Sequence, residues 1–456
     1  MAVKKSARDM AFEVLLRIER TNSYANLLLS PALVKSGLNT RDRAFCTEVV
    51  YGTIKMQGAL DWVLQERSNI PLAELDPPVH ILLRLGAYQI LFTRVPIAAA
   101  CFETVKQAKR FSHSGGARYV NAVLRRLARE GNQIKFPDIK EKPMLHLATK
   151  YSHPQWLVKK WLQQLGLEET IEICRANNLV PTLCLRTNCT LTTRPQLALL
   201  LKEKGFTPVL SQMMPEALHI EGAGPVIKLP GFDAGLFTVQ DESSMIVAHA
   251  LAPKSGDRVL DACAGPGGKA THLAEFMNDK GLILAADIYP HKLTLVQKSA
   301  ARLHLSCITT KEIDARRLPL NLKGRFDKVL IDAPCSGTGV LRRRPDLRWK
   351  KTAAGLASLA KLQLELLMGA SEALMDGGTL LYSTCSMEPE ENIEVAAAFL
   401  KLRPQFRVLD LRPRLQGLIQ EPTLREGFLQ LYPHKHNTDG FFLAAFERCR
   451  EGVGHG

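Results

Sequence analysis

The chain has 456 residues, 60 of them Lys or Arg against 45 Asp or Glu, a net charge of +15; that length is several times what one small core needs, so two or three domains are expected. Apolar residues at 46% and charged residues at 23% exclude a disordered or collagen-like chain, and the basic excess points to a polyanionic partner without separating nucleic acid from an anionic surface. Ten cysteines without a C-x-x-C pair exclude a zinc ribbon or a disulfide framework, and a start (MAVKKSARDMAFEV) without an apolar leader, in a chain with no run of about 18 apolar residues, predicts a cytoplasmic protein that enters no membrane.

From Ala7 to about Arg129 apolar residues recur at helical spacing, as in Ala7, Ala11, Val14, Leu15 and Ile18 and again in Ile81, Leu85, Tyr88 and Phe92. An all-helical domain over residues 1–142 is predicted, broken at Asn22-Ser23, Ser36-Gly37, Pro71, Asp76-Pro77-Pro78, Pro96 and Ser114-Gly115-Gly116. Up to Lys142 there are 22 basic and 13 acidic residues, so most of the basic excess lies here. Arg118, Arg125, Arg126 and Arg129 fall on or beside one predicted helix; Arg125 and Arg126 are candidate phosphate contacts, a solvated helix face being the plainer alternative.

Residues 143–230 read as a small α+β unit, with a helix around Trp156 to Asn177, a strand at Thr182 to Leu185 and a helix near Gln196 to Lys204. From residue 231 to 450 short apolar runs alternate with turns and helices: RVLDA (258–262), LILAAD (282–287), KVLIDAP (328–334) and GTLLYSTC (378–385). That alternation predicts a mostly parallel, doubly wound α/β sheet.

In such a sheet ligands bind outside the carboxyl ends of the strands. The first strand runs into Asp261-Ala262-Cys263-Ala264-Gly265-Pro266-Gly267-Gly268-Lys269, a glycine-rich turn that lets backbone approach a ligand closely. Asp287 ends the second strand, 19 positions beyond Gly268, where a carboxylate would accept from ribose hydroxyls. A nucleoside cofactor is expected. The G-x-G-G spacing departs from G-x-G-x-x-G and Pro266 offers no amide to a pyrophosphate, which favours S-adenosylmethionine over a dinucleotide; a structural turn capped by Asp287 is the bland alternative.

Two later strands end in cysteines, Asp332-Ala333-Pro334-Cys335-Ser336-Gly337 and Ser383-Thr384-Cys385-Ser386. A single cysteine is most often a small buried hydrophobe, but two at the functional edge suggest chemistry. Carbon 5 of a pyrimidine accepts a methyl group only after a nucleophile has added at carbon 6, and a thiolate is the side chain suited to that addition.

DACAGPGGKATH, AADIYPHKL, DAPCSGTGVLRRRPDLRWK and STCSMEPEENIEV resemble, in order, the motifs of the RNA 5-methylcytosine methyltransferases. The N-terminal stretches ANLLLS, RDRAFCTEVVYGTI, ILLRLGAYQIL and YVNAVLRRLAR are similar to the NusB-like domain carried by the bacterial 16S ribosomal RNA members of that family. The resemblance covers nearly the whole chain. It departs at Gly265, where the family more often has Ala, and at Cys101-Phe102-Glu103, which replaces the commoner Val-Asn-Glu.

The resemblance implies a NusB-like RNA-binding domain (1–142), a small α+β linking domain (143–230) and a Rossmann-like catalytic domain (231–450) in a monomer acting on 16S ribosomal RNA. It places Cys263, Ala264, Gly265, Pro266, Gly267, Gly268 and Lys269 in the cofactor loop, Asp287 on the ribose, Asp314 near the adenine and Asp332 beside both cofactor and base. It makes Cys385 the covalent nucleophile and Cys335 the cysteine that assists product release. Glu388, Glu390 and Glu391, which follow Cys385 and would repel a thiolate, are expected to point away.

Leu341 to Lys351 carries six basic residues around one tryptophan; Arg342, Arg343, Arg344 and Arg348 would hold phosphates and Trp349 would stack an unpaired base, unless Trp349 is tucked into a core. The target base must then lie in a loop or be flipped out of a duplex. His249, His272 and His304 read as ordinary helix residues, and no metal is expected. Two competing functions remain: methylation of another ribosomal or transfer RNA site, and a non-catalytic, antitermination-like RNA-binding factor.

Overall fold

A computed structural model describes residues 5–131, 134–222 and 224–449. The chain divides into two compact units, one running to Leu179 and taking in Leu341–Thr352, the other holding Val180–Val340 and the chain from Ala353 onward. Residues 143–179 belong with the N-terminal helices, and residues 180–230 with the C-terminal sheet.

The first unit is helical: α1 (Ala7–Thr21), α2 (Ala25–Lys35), α3 (Thr40–Lys55), α4 (Gln57–Gln65), α5 (Pro77–Phe92), α6 (Ile97–Phe111), α7 (Ser114–Glu130), α8 (Pro143–Lys150) and α9 (Gln155–Ala176). Local chemistry sets the starts. Ser6 and Asp9 form a reciprocal capping box on α1, Asn39 accepts from the Asp42 amide at α3, and Pro77 opens α5. Ser114-Gly115-Gly116, expected as a break, is instead the first turn of α7, capped by the His113 ring on the Gly116 amide. Phe12, Val49, Val50, Leu60, Leu83 and Leu124 lie in one continuous core.

Leu341–Thr352 is tied into this unit by its side chains. The Arg348 guanidinium, 1% exposed, donates to the carbonyls of Ser152 (2.8 Å) and Asn177 (3.2 Å) and to Asn178 Oδ1 (3.1 Å). Trp349 Nε1 donates to the Ile54 carbonyl at 2.8 Å, and its ring packs on the helical core. Asp346 accepts from the Ala25 amide at the start of α2, and Lys350 Nζ donates to the carbonyls of Asn22 and Ser23 after α1.

The second unit has two sheets. The smaller is antiparallel, β1 (Leu183–Thr187), β2 (Pro208–Leu210), β3 (Ala217–Ile220) and β4 (Phe237–Val239) in the order β2-β3-β1-β4. Leu185, Leu197, Leu218 and Phe237 form its core. The larger contains β5 (Arg258–Asp261), β6 (Leu282–Asp287), β7 (Ile308–Glu312), β8 (Phe326–Asp332), β9 (Leu374–Thr384), β10 (Phe406–Val408), β11 (Phe428–Leu431) and β12 (Phe441–Arg448), ordered β10-β12-β9-β8-β5-β6-β7 with β11 also on β12. Strands β5 to β9 run parallel; β12 is antiparallel to β9, β10 and β11. The chain winds one way from β5 to β7 and the other way from β8, so the order reverses between β5 and β8. That switch point puts the ligand crevice at their carboxyl ends.

Candidate active site

The turn after β5 is shaped by close backbone approaches. Gly267 has φ +108° and directly precedes the helix Gly268–Phe276, whose first amides carry no side-chain cap. A Cβ on Gly268 would meet nothing within 4 Å, so this face of the turn is open. A Cβ on Gly265 would stand 2.9 Å from Asp287 Oδ2 and 2.5 Å from Lys292 Cβ; glycine therefore lets the buried Asp287 accept from the Gly265 amide at 3.2 Å. The other Asp287 oxygen accepts from the Tyr289 amide at 3.0 Å. Asp314 lies beyond β7, where its carboxylate takes three donors from Arg316, and that hydrogen bonding, first of all, draws its pKa down.

Two residues of this region carry roles that the sequence reading does not assign. Asp261, the last residue of β5, is 1% exposed, and neither carboxyl oxygen has a hydrogen-bond partner among the described residues. Burial, then the charge of Asp332, pushes its pKa up to about 7. Arg186 of β1, fully buried, donates to Gly268 O (2.7 Å), Thr271 Oγ1 (3.1 Å) and Glu275 Oε1 (2.6 Å), so the small sheet clamps the first turns of the helix after the glycine loop. A strand-ending aspartate is a legible signal; the arginine, far away in sequence, gives none.

Strands β8 and β9 pair in parallel with Asp332 opposite Ser383, and this register brings the loops after them together. Cys335 Sγ lies 3.3 Å from Cys385 Sγ, a thiol-to-thiol hydrogen-bond distance; neither is in a disulfide, and both are partly buried. Asp332 is fixed beside them: Oδ2 accepts from Lys269 Nζ at 2.6 Å and Oδ1 from Ser383 Oγ at 3.0 Å. Cys335 is held well above the ordinary thiol range, first by its hydrogen bond to Cys385, then by burial and by the charges of Cys385, Glu391 and Asp332. The Cys263 thiol is pushed up as well, by burial and then by Asp261, Asp332 and Asp287. Both thiols are thus biased toward the protonated form.

Glu391 does not point away. It is fully buried and accepts from the Ser336 amide at 2.8 Å, from Ser386 Oγ at 2.6 Å and from Ser336 Oγ. The expectation fails because buried hydroxyls and an amide, rather than solvent, satisfy this carboxylate.

Of the expected RNA contacts, Arg125 and Arg126 are exposed on α7, with Arg126 Nε 2.9 Å from Glu130. Arg344 is exposed, Arg343 half-buried and Arg342 buried. Arg348 and Trp349 are corrected to anchors of the helical unit: the guanidinium is spent on buried oxygens and the indole N–H on a helix-end carbonyl. His249 and His272 both bond Glu216, while His304 sits in a turn with φ +58° rather than in a helix. Among the described residues no group of His, Cys, Asp and Glu is placed to hold a metal, and no helix is long and apolar enough to cross a membrane.

Three family models match the chain: the NusB family over residues 5–129, an RsmF/B-like ferredoxin-like domain over 153–227, and the 16S rRNA methyltransferase RsmB/F over 248–447. A probable ribosomal RNA small subunit methyltransferase B of Bacillus subtilis (strain 168) is 40% identical over 98% of this chain and 99% of its own length. The ribosomal RNA small subunit methyltransferase B of Citrobacter koseri is 35% identical, over 97% of this chain and 98% of its own. The crystal structure of PH0851 superposes with a TM-score of 0.82 at 28% identity, covering 98% of this chain and all of that one.

Proposed function

Because the chain belongs to the RsmB/F family of 16S rRNA methyltransferases, we propose that it transfers a methyl group from S-adenosylmethionine to carbon 5 of one cytosine in 16S ribosomal RNA, through a covalent bond between Cys385 and carbon 6. The observation that carries this reading is the pair of thiols 3.3 Å apart beside a carboxylate fixed by Lys269 and Ser383.

The residues around the switch point fit the cofactor. The Asp261 carboxyl suits an ammonium or hydroxyl donor, the open face of the turn at Gly268 admits a close approach, and Asp287, which accepts from two amides and from Lys292 Nζ at 3.4 Å, keeps a lone pair on Oδ1 for a ribose hydroxyl. Asp314, just beyond β7 at the same edge of the sheet, would face the adenine. Bound there, S-adenosylmethionine supplies an electrophilic methyl group.

The Cys385 thiolate adds to carbon 6, and the displaced ring electrons make carbon 5 nucleophilic. Asp332, held from both sides by Lys269 and Ser383, accepts from the amino edge of the cytosine and so orients the ring for the addition. Once Cys385 Sγ is a thioether, its own hydrogen bond and charge, the largest of the influences on Cys335, no longer hold the Cys335 proton, and Cys335 ionises more readily, releasing that proton to solvent. It then takes the proton from carbon 5, the carbon 6 to sulfur bond breaks, and its electron pair returns to Cys385.

The experiment is nucleoside mass spectrometry with bisulfite sequencing of small-subunit RNA from a strain lacking the gene. Loss of a single 5-methylcytidine, restored by the purified protein and S-adenosylmethionine, is expected. A restored mark in transfer RNA or another ribosomal site would move the substrate, and no restored mark would favour the non-catalytic reading.

A further inference from the structure

The two thiols sit on loops 50 positions apart in sequence, with no covalent link between them, and a shift of a fraction of an ångström in either would undo their hydrogen bond. The residues that follow them, Ser336 and Ser386, meet at one side chain. Glu391 Oε1 accepts from the Ser336 amide (2.8 Å) and from Gln363 Nε2 (3.0 Å), while Oε2 accepts from Ser386 Oγ (2.6 Å) and Ser336 Oγ. The two hydroxyls are also 3.1 Å apart, and Gln363 Nε2 reaches the Pro334 carbonyl at 3.0 Å. The backbone of Glu391 is itself held, through Tyr382 Oη on its carbonyl at 2.5 Å. Asn392 Nδ2 donates to the Ser386 carbonyl at 2.9 Å.

This carboxylate has no cationic partner among the described residues, and it is fully buried. Burying an unpaired charge is costly unless hydrogen bonds satisfy it, and packing alone would be served by an uncharged side chain. We propose that Glu391 is a positioning residue: one carboxylate binds the residue after each cysteine and so fixes the two thiols at their working separation. Its charge has a second effect, since it faces Cys335 together with Cys385 and Asp332 and adds to the forces that keep the Cys335 proton in place; the Tyr382 phenol, buried against the same groups, is also held protonated.

The inference rests on the reading of Cys385 as nucleophile and Cys335 as its partner, so its test has an arm that needs neither RNA nor cofactor. Full-length Glu391→Ala and Glu391→Gln proteins are treated with diamide, and formation of the Cys335–Cys385 disulfide is followed by intact mass. Turnover and S-adenosylmethionine binding are measured alongside. For Glu391→Ala, disulfide formation should slow about tenfold or more and kcat should fall about tenfold to a hundredfold, as expected of a misplaced reacting group, with the S-adenosylmethionine Kd within about twofold of the parent. The isosteric Gln variant should recover part of both losses. If the Ala variant does not fold, the double variant Ser336→Ala, Ser386→Ala should show the same slowed oxidation and lowered kcat. A folded variant that oxidises and turns over at the parental rate overturns the positioning role. Should Cys335→Ala form no adduct with RNA through Cys385 while Glu391→Ala still slows the disulfide, the covalent reading fails and the positioning role stands.

Discussion

At the residue scale, the order in which protons leave decides the chemistry. Cys263 and Cys335 are both held protonated, by burial and by neighbouring carboxylates and, for Cys335, above all by the Cys385 sulfur. Limited alkylation with iodoacetamide at pH about 8, where an ordinary thiol is partly ionised, should therefore modify Cys385 before either of them, as read by peptide mass mapping. Earlier labelling of Cys335 would reverse the two roles. Asp261 makes a pH prediction. Its folded pKa is about 7 against an ordinary aspartate value of 3.8, so the folded state binds the proton more tightly than the unfolded one. Stability should then be highest below pH about 4 and decline through neutrality, by on the order of 2 to 4 kcal/mol from this group alone. Thermal midpoints of Asp261→Asn should lack that decline and its S-adenosylmethionine affinity should be lower; a parallel decline in both proteins would show that another group is responsible. Replacing Asp287 with Ala frees two loop amides as well as the expected ribose contacts, and calorimetry should show S-adenosylmethionine binding weaker by about 1 to 3 kcal/mol with RNA affinity unaltered.

At the element scale, Leu341–Thr352 shows why sequence alone misplaces a basic aromatic segment. Arg, Trp and Lys in one short run suit a nucleic-acid surface and a buried clasp equally well, and only the tertiary partners decide. Here the partners are carbonyls near the ends of α1, α3 and α9, far away in sequence. Arg348→Ala should consequently cost on the order of 3 kcal/mol of stability, because several buried oxygens lose their donor, and should leave the salt dependence of RNA binding unchanged. Arg125→Ala with Arg126→Ala should do the opposite, reducing the slope of log affinity against log salt by about 0.7 to 0.9 for each phosphate that is no longer neutralised, while hardly moving the melting temperature. An unchanged slope in the α7 variant would assign these arginines to a merely solvated face. The parallel strands are legible for a different reason: RVLD, LILAAD and LLYST are apolar runs ended by turn residues, and periodicity reports those directly. The antiparallel β10, β11 and β12 escape a sequence reading because their pairing is set by partners across the sheet, not by a local signature.

At the scale of the whole molecule, charge and connectivity act separately. Most of the net charge of +15 lies before residue 143, so the helical unit is the natural source of phosphate contacts. Yet that unit is completed by residues 143–179 and 341–352, which periodicity along the chain assigns elsewhere. A chain beginning at residue 143 would bare the core faces and the clasp that α1 and α3 supply, and it should aggregate or melt well below the full chain in a thermal scan. A fragment that melts at the parental temperature would show the unit boundary to be misplaced. The candidate site residues stand out in the sequence because they cluster in four short motifs at strand ends, whereas the inward turn of Glu391 depends on Ser336, 55 positions away.

The covalent reading gives the two cysteines opposite phenotypes. Cys385→Ala should neither methylate nor attach to RNA, because carbon 6 never acquires its substituent. Cys335→Ala should add and methylate but stall before the sulfur leaves, accumulating protein joined to RNA through Cys385. The decisive measurement is a denaturing gel of each variant, and of the double variant, with S-adenosylmethionine and labelled small-subunit RNA. A slow band with Cys335→Ala that disappears in the double variant is the expected result; the band appearing with Cys385→Ala, or both single variants turning over at the parental rate, would contradict it.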